Sequence, residues 1–273
     1  MSRPTRVAVT GSAGVLGSRL MRLLAGRDVR GIDRQDGHEL VDLRSYSELL
    51  VGCDAVVHTA ALHPLVAPPH ATATTYEAAN VAPLVTLVQE MLRLRVRRLV
   101  LISSTSVWMD SEKGQPARFV DESTPADAED GYATSKRDGE RLAARSGLEL
   151  VTLRLARFAA RGDPEDDVRL LYRAIDPADA AAAVVSALDR APTGSLYAIS
   201  ATTPFLPEDA ERLDRDPREV IRLRCGRSPD WVPRRIGSVI VASRARRELR
   251  WRPEHVSSFL PRDSRDQDVT TSS

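Results

Sequence analysis

Aromatic residues are scarce in this 273-residue chain, at 4% of the total. A core must therefore be assembled from Ala, Val and Leu, which the 42% hydrophobic content can supply. Cysteine is nearly absent: Cys53 and Cys225 are too few for a disulfide framework, and neither lies in a CxxC or zinc-type spacing. Among the 5 histidines, His38, His70 and His255 share no ligand-like spacing with carboxylates or thiols, so no metal site is expected. No apolar run approaches the roughly 18 residues that a membrane span requires, and no signal-peptide pattern precedes Val7. The expectation is a cytoplasmic protein with no membrane partner. Excess charge is missing too, because 38 acidic residues offset 39 basic ones and leave a net charge of +1. That balance gives no bulk attraction to nucleic acid.

What the chain does contain is alternation. Short apolar runs at 6–10, 28–33, 55–59, 98–103 and 149–155 have the length and β-branched content of buried strands. Between them, amphipathic segments at 15–25, 75–95 and 132–146 have helical spacing. Strand and helix in turn predict right-handed βαβ units, hence an α/β class protein built on a Rossmann-type, doubly wound parallel sheet. After Leu155 the pattern loosens into an Ala-rich helix at 176–188, a strand at 195–199, a short helix at 243–249 and Pro- and Arg-rich connections. The expected division is a dinucleotide-binding domain over 1–160 and a small C-terminal substrate-binding cap over 161–261, interleaved with the sheet. A disordered polar tail is expected over 262–273.

The chemistry starts at Thr10-Gly11-Ser12-Ala13-Gly14-Val15-Leu16-Gly17, between the first strand and the first helix. Glycines there allow a sharp bend, a close approach of backbone to a pyrophosphate and tight helix–strand packing. The first N–H groups of the new helix then face the phosphates. Gly11, Ala13, Gly14, Val15, Leu16 and Gly17 are accordingly the candidate pyrophosphate ligands, although the spacing is GxxGxxG rather than GxGxxG. Asp33 ends the second strand, where a carboxylate accepts from ribose hydroxyls and repels a 2′-phosphate; this favours NAD. Arg34 could instead pair with a 2′-phosphate, which keeps NADP open.

Tyr132 and Lys136 lie one helical turn apart, which puts both side chains on one face. An ammonium beside a phenol stabilises the phenolate and is expected to lower its pKa. Ser104 lies just past the fourth strand, at the carboxyl edge where parallel sheets present their ligands.

Together these pieces resemble the extended short-chain dehydrogenase/reductases, in particular the NAD-dependent epimerase/dehydratase family of nucleotide-sugar enzymes. Further matches carry the resemblance along most of the chain. Asp42-Leu43 looks like an adenine-contacting pair, and His58-Thr59-Ala60-Ala61 is similar to an HxAA segment that passes beneath the cofactor. Asn80-Val81 is similar to the opening of an NVxGTxNLL helix, and Asp176-Pro-Ala-Asp179-Ala180 to the helix after the substrate loop. The run Ser243 to Pro253 is similar to an SKAxxELGWxP ending. The resemblance implies Ser104, Tyr132 and Lys136 as catalytic residues. It also implies Thr59, Ala60, Ala61, Asn80, Tyr132 and Lys136 as cofactor contacts, and Arg227 with Asp230 as an RxxD pair that holds a substrate diphosphate and ribose. His63, following HxAA, is a candidate substrate contact. The family's habit implies a homodimer through the helices at 75–95 and 132–146.

Departures narrow the expectation. Proline usually precedes the family's tyrosine, and Gly131 stands there; Trp108 replaces a tyrosine. The substrate loop reads Arg154-Leu-Ala-Arg157-Phe158 in place of RxxNV, so the asparagine is lost. The acid–base pair that dehydratases carry after their catalytic Thr is Thr105-Ser106 here, which argues against water elimination. The expected activity is NAD(P)-dependent hydride transfer at a secondary alcohol or ketone of a sugar or sugar nucleotide, of epimerase type. The alternatives are a simple dehydrogenase of a smaller polar substrate, such as a sugar acid, and a non-catalytic NAD(P)-binding regulator.

Overall fold

Six parallel strands form the centre of the protein: β1 (Arg6–Thr10), β2 (Asp28–Ile32), β3 (Ala55–His58), β4 (Arg98–Ser104), β5 (Glu149–Leu155) and β6 (Ser195–Ile199). Their order in the sheet is β2-β1-β3-β4-β5-β6. The computed structural model describes residues 3–260, apart from the Leu43 side chain; the tail expected over 262–273 lies outside the described residues. Strands β3, β4 and β5 are buried almost end to end, as a parallel sheet covered on both faces requires. The order reverses between β1 and β3, and a crevice opens at such a switch point above the strands' carboxyl ends.

Helices cover both faces. Helices α1 (Gly17–Leu23) and α4 (Pro177–Arg190) lie on one side, where Leu16, Leu20 and Leu24 meet Ala180, Ala183, Val184 and Ala187 over Val7, Val9, Val151 and Leu153. Helices α2 (Ala82–Arg93) and α3 (Gly131–Ala144) take the other, where Leu84, Leu87 and Met91 pack on Ala8, Val56, Leu99 and Leu101. The Ala-rich sequence of α4 brings its backbone close to the sheet. Its carboxyl end is capped from within the fold, since the buried Arg98 of β4 donates to the carbonyls of Ala187, Leu188 and Ala191 at 2.7–3.1 Å.

The helix expected over 75–95 is not continuous. A turn over Ala73–Tyr76 widens into a π segment, Glu77–Val81, before α2 begins. Ala82 N donates to Glu77 O, five residues back, and Pro83, next in line, has no N–H to continue the ladder.

The cap has its own core, in which Leu171, Phe205, Leu213, Val220, Ile221 and Val239 are wholly buried. It draws on the short parallel pair Arg118–Val120 and Ser238–Ile240. Of residues 161–260, α4, β6 and the helix Ser243–Leu249 with Trp251 join the main layers, much of the remainder forms the cap, and residues of the first half, including Ala117, join the cap core.

Candidate active site

The glycine turn leaves β1 with Gly11 at φ +68°, a left-handed conformation that favours glycine. A Cβ on Gly11 would meet Ala60 backbone atoms at 2.8 Å, and one on Gly17 would sit 2.0 Å from Gly11 O. The turn is therefore filled by backbone alone. Ala13 N donates to Asp33 Oδ2 at 3.0 Å, which ties the turn to the end of β2; Gln35 N takes Oδ1 at 3.1 Å. The N–H groups of Val15 and Leu16 donate to no acceptor among the described residues and remain available at the start of α1. Ala13, Gly14 and Val15 are exposed along the crevice. This backbone cradle, rimmed by a carboxylate, fits a dinucleotide pyrophosphate and ribose.

Other expected cofactor contacts lie nearby with structural partners of their own. Thr59 Oγ1 donates to Thr10 O at 2.7 Å, and Ala60 N donates to Thr10 Oγ1 at 3.4 Å; Ala61 is exposed beyond them. Arg34 and Asp42 are exposed past β2, with Asp42 Oδ1 accepting from Arg44 N at 3.1 Å. The Leu43 side chain lies outside the described residues. The π segment turns Asn80 inward. Its Oδ1 accepts from Leu62 N at 2.7 Å, and its Nδ2 donates to Leu62 O at 3.3 Å and Ser135 Oγ at 3.0 Å. Asn80 thereby locks the loop carrying His63 to α3.

Ser104, Tyr132 and Lys136 meet at the carboxyl end of β4. Asp130 caps α3 by accepting from Ala133 N at 3.0 Å, which fixes the first turn and Tyr132 with it. Gly131 replaces the family's proline because the Ala73 backbone presses there: a Cβ would lie 2.8 Å from Ala73 Cα. The Tyr132 ring is held edge-on by His63 at 5.3 Å and Tyr76 at 5.7 Å. Ser104 Oγ donates to Ser106 Oγ at 2.9 Å and caps the turn 105–107. Lys136 Nζ donates to Ile102 O at 3.0 Å and lies 5.9 Å from the Tyr132 ring centre.

The electrostatics differ from the expectation at Tyr132. Burial pushes the phenol up to about 12, with the Ser104 hydroxyl acting in the opposite direction and the Asp130 and Tyr76 charges adding to the rise. The Lys136 ammonium is bonded to the Ile102 carbonyl and is itself buried. Burial brings Lys136 down to about 8, opposed by the Glu140 carboxylate. Burial and the Lys136 charge hold His58 at about 3, so this imidazole is neutral; its Nδ1 is bonded to Thr10 Oγ1 at 2.8 Å.

Glu140 and Arg154 are support residues that sequence reasoning passed over. Arg154 donates to both Glu140 oxygens, at 3.0 and 2.8 Å, and lies over the Trp108 ring at 4.8 Å. The pair joins α3 to β5 beside the cluster, and Trp108 is packed into the core at 5% exposure. Their one signal was that both are charged residues on elements that face a covered sheet.

Arg227 and Asp230 are not gathered into this cluster. Both are exposed in the cap. Arg227 lies over the Phe259 ring at 4.8 Å and donates to Ser258 O, and the Asp230 carbonyl accepts from Arg218 at 2.9 Å. Among the described residues neither contacts Ser104, Tyr132 or Lys136, and no group of three or more His, Cys, Asp or Glu could hold a metal ion. No helix of the described residues is long and apolar enough to cross a membrane.

Residues 7–196 match the model of the NAD dependent epimerase/dehydratase family. A search of curated protein sequences finds no significant relative. Among solved structures, the chain is similar to a double mutant of DesIV, a dTDP-glucose 4,6-dehydratase from Streptomyces venezuelae (23% identity, 92% of each chain covered, TM-score 0.66). It is likewise similar to a short-chain dehydrogenase/reductase superfamily protein from Agrobacterium tumefaciens with bound NAD (21% identity, 95% of this chain and 96% of that one, TM-score 0.66). A third is the UDP-N-acetylglucosamine 4-epimerase of Bacillus cereus (20% identity, 93% and 95% covered, TM-score 0.67). At such identities the likeness shows a shared fold.

Proposed function

This chain belongs to the NAD-dependent epimerase/dehydratase family, and we propose that it uses NAD to exchange hydride with a secondary alcohol or ketone of a sugar or sugar nucleotide. The observation that carries this reading is the convergence of Ser104, Tyr132 and Lys136 at the end of β4, beside the glycine turn. The dinucleotide, when bound, supplies the hydride acceptor and donor. The turn from Gly11 to Gly17 would hold its pyrophosphate through backbone N–H groups, and Asp33 a ribose. Ser104 Oγ, turning its proton from Ser106, would donate a hydrogen bond to the reacting oxygen and orient it. Tyr132 Oη, as the phenolate that the positive charges of Lys136 and of a bound oxidised nicotinamide would favour, takes the hydroxyl proton in oxidation, and as the phenol it gives that proton back in reduction. Lys136 places a positive charge on the face of α3 that Tyr132 shares and would hold the second ribose. The fold supplies position and electrostatics for chemistry that belongs to the cofactor.

A retained cofactor that recycles within each turnover is the epimerase outcome. The second reading, a simple dehydrogenase of a smaller polar substrate, is favoured by the engagement of Arg227 with Phe259 and Ser258, which occupies the guanidinium expected to hold a diphosphate. Release and identification of the bound nucleotide after denaturation, followed by an assay for stoichiometric NADH, tests both. Bound NAD with no NADH release supports the epimerase, NADH release supports the dehydrogenase, and a protein that binds neither NAD nor NADP rejects the proposal. The outer faces of α2 and α3 are the proposed dimer surface, and a monomer mass in sedimentation would remove that part.

A further inference from the structure

Arg157 stands where the chain has just left β5 at the carboxyl edge of the sheet, in the short pairing of Arg157–Phe158 with Ala174–Ile175. Its side chain is 46% exposed, and its only ion pair among the described residues is a 3.5 Å contact with Asp166 Oδ1. Arg169 already holds that oxygen at 2.8 Å, and Asp166 Oδ2 accepts from Ala160 N at 2.8 Å. The Arg157 guanidinium donates no hydrogen bond among the described residues, so its fixed fork of N–H groups is free to receive a ligand.

The position is not remote from the chemistry. Burial first, then the charges of Lys136 and Arg157, hold the His63 imidazole below its ordinary range. His63 in turn lies edge-on to the Tyr132 ring at 5.3 Å. The register of the sheet agrees: Leu155, two residues before Arg157, is the strand partner of Ser104. Beside Arg157 the buried Asp166 is already answered by Arg169, which also pairs with Glu165. A neutral sugar would leave Arg157 unanswered.

We infer that Arg157 binds a carboxylate borne on the substrate's sugar ring, making this a site for an acidic sugar. The inference rests on the function proposed above and narrows its substrate class. A planar guanidinium matches a carboxylate with two parallel hydrogen bonds. Arg157 follows Leu155, the strand partner of Ser104, by two residues, so a group on the sugar ring is within its province, whereas the phosphates of a nucleotide sugar are separated from the reacting carbon by the sugar ring. An exposed arginine with one long, shared ion pair adds little to stability, so its replacement leaves the fold intact.

The test is isothermal titration of wild type and Arg157→Gln, with and without saturating NAD. The probes are a hexuronate, the matching neutral hexose, and the UDP-linked form of each. The wild type should bind the hexuronate, free or UDP-linked, at least tenfold more tightly than the neutral partner. Arg157→Gln should abolish that preference while hexose affinity, NAD affinity and melting temperature stay within error, and Arg157→Lys should restore part of it. The two forms of hexuronate identify whether the acidic sugar is free or nucleotide-linked. Equal binding of acid and neutral sugar by the wild type overturns the inference. An equal loss of UDP-hexose binding in Arg157→Gln also overturns it, by assigning the guanidinium to the diphosphate. Failure of NAD to bind rejects the hydride-transfer reading alone, because the titrations without NAD still decide the role of Arg157.

Discussion

Glu140 follows Lys136 by one turn of α3, and a single carboxylate there serves two cations. It accepts both hydrogen bonds of the buried Arg154 and supplies the charge that opposes the depression of the Lys136 ammonium by burial. Replacing Glu140 by Gln removes that charge from both. The buried guanidinium loses its counter-ion, at about 3 kcal/mol, and Lys136 moves further below its usual range. Thermal unfolding should show the first effect. The second should appear as a shift to lower pH of the alkaline limb in kcat/KM; an unshifted limb would separate Lys136 from that titration.

Lys136 itself is a stability liability. Its folded pKa of about 8 lies below the ordinary 10.5, so between those values the unfolded chain binds the proton more readily than the folded one. Stability falls as pH drops from 10.5 to 8, and the loss is complete below that window. Lys136→Met should be more stable than wild type at pH 7 by about 2 kcal/mol, after allowing for the lost bond to Ile102. That advantage should shrink as pH rises above 8, while activity is lost at every pH. A variant less stable than wild type at neutral pH would contradict the burial argument.

Tyr132→Phe keeps the ring that His63 and Tyr76 contact and removes only the proton-transferring oxygen. Turnover should fall at least about 10²-fold with NAD affinity changed less than threefold and the melting temperature near that of wild type. Measurable catalysis at the wild-type rate would remove Tyr132 from its proposed role.

Gly17→Ala places a methyl carbon against Gly11 O, where neither side is a flexible side chain. The turn must open, at about 3 kcal/mol, and NAD binding should drop at least tenfold. Calorimetric melting with and without NAD reads both effects.

Asp33→Ser removes the carboxylate that Ala13 N and Gln35 N share and leaves Arg34 beside the crevice. NAD should bind about tenfold or more weakly, in line with the loss of a hydrogen bond to a charged group. NADP should gain relative to NAD, because its 2′-phosphate is no longer repelled. Fluorescence titration with both nucleotides gives the ratio, and an unchanged ratio would detach Asp33 from the ribose.

Much of this could be read in the sequence because it is written in local pattern. The β-branched runs specify the strands, and Gly17 answers to the carbonyl of Gly11 within the same turn, although Gly11 itself answers to the distant Ala60. The π segment was hidden because Glu77 to Val81 has ordinary helical residues, and only the missing N–H of Pro83 marks the change. Glu140 and Arg154 were equally hidden, since their pairing depends on α3 lying across β5 and not on spacing. Arg227 and Asp230 show the reverse fault. Their spacing fits a motif, but in an Arg-rich segment spacing does not say which way a guanidinium turns, and Phe259 takes this one.

The clasp of Arg98 on the last carbonyls of α4 makes the first half of the chain depend on the second during synthesis. Five of the six strands can emerge from the ribosome before residue 160, yet the apolar face that Val7, Val9, Val151 and Leu153 present has only α1 over it until Ala180 to Leu188 follow. Until then the nascent sheet carries an open greasy side, an unpaired edge where β6 will add, and a cation with no carbonyls to hold. A fragment cut at the end of the first half should therefore aggregate or be degraded, and the protein should pass from chaperone dependence to self-sufficiency only once β6 has been made.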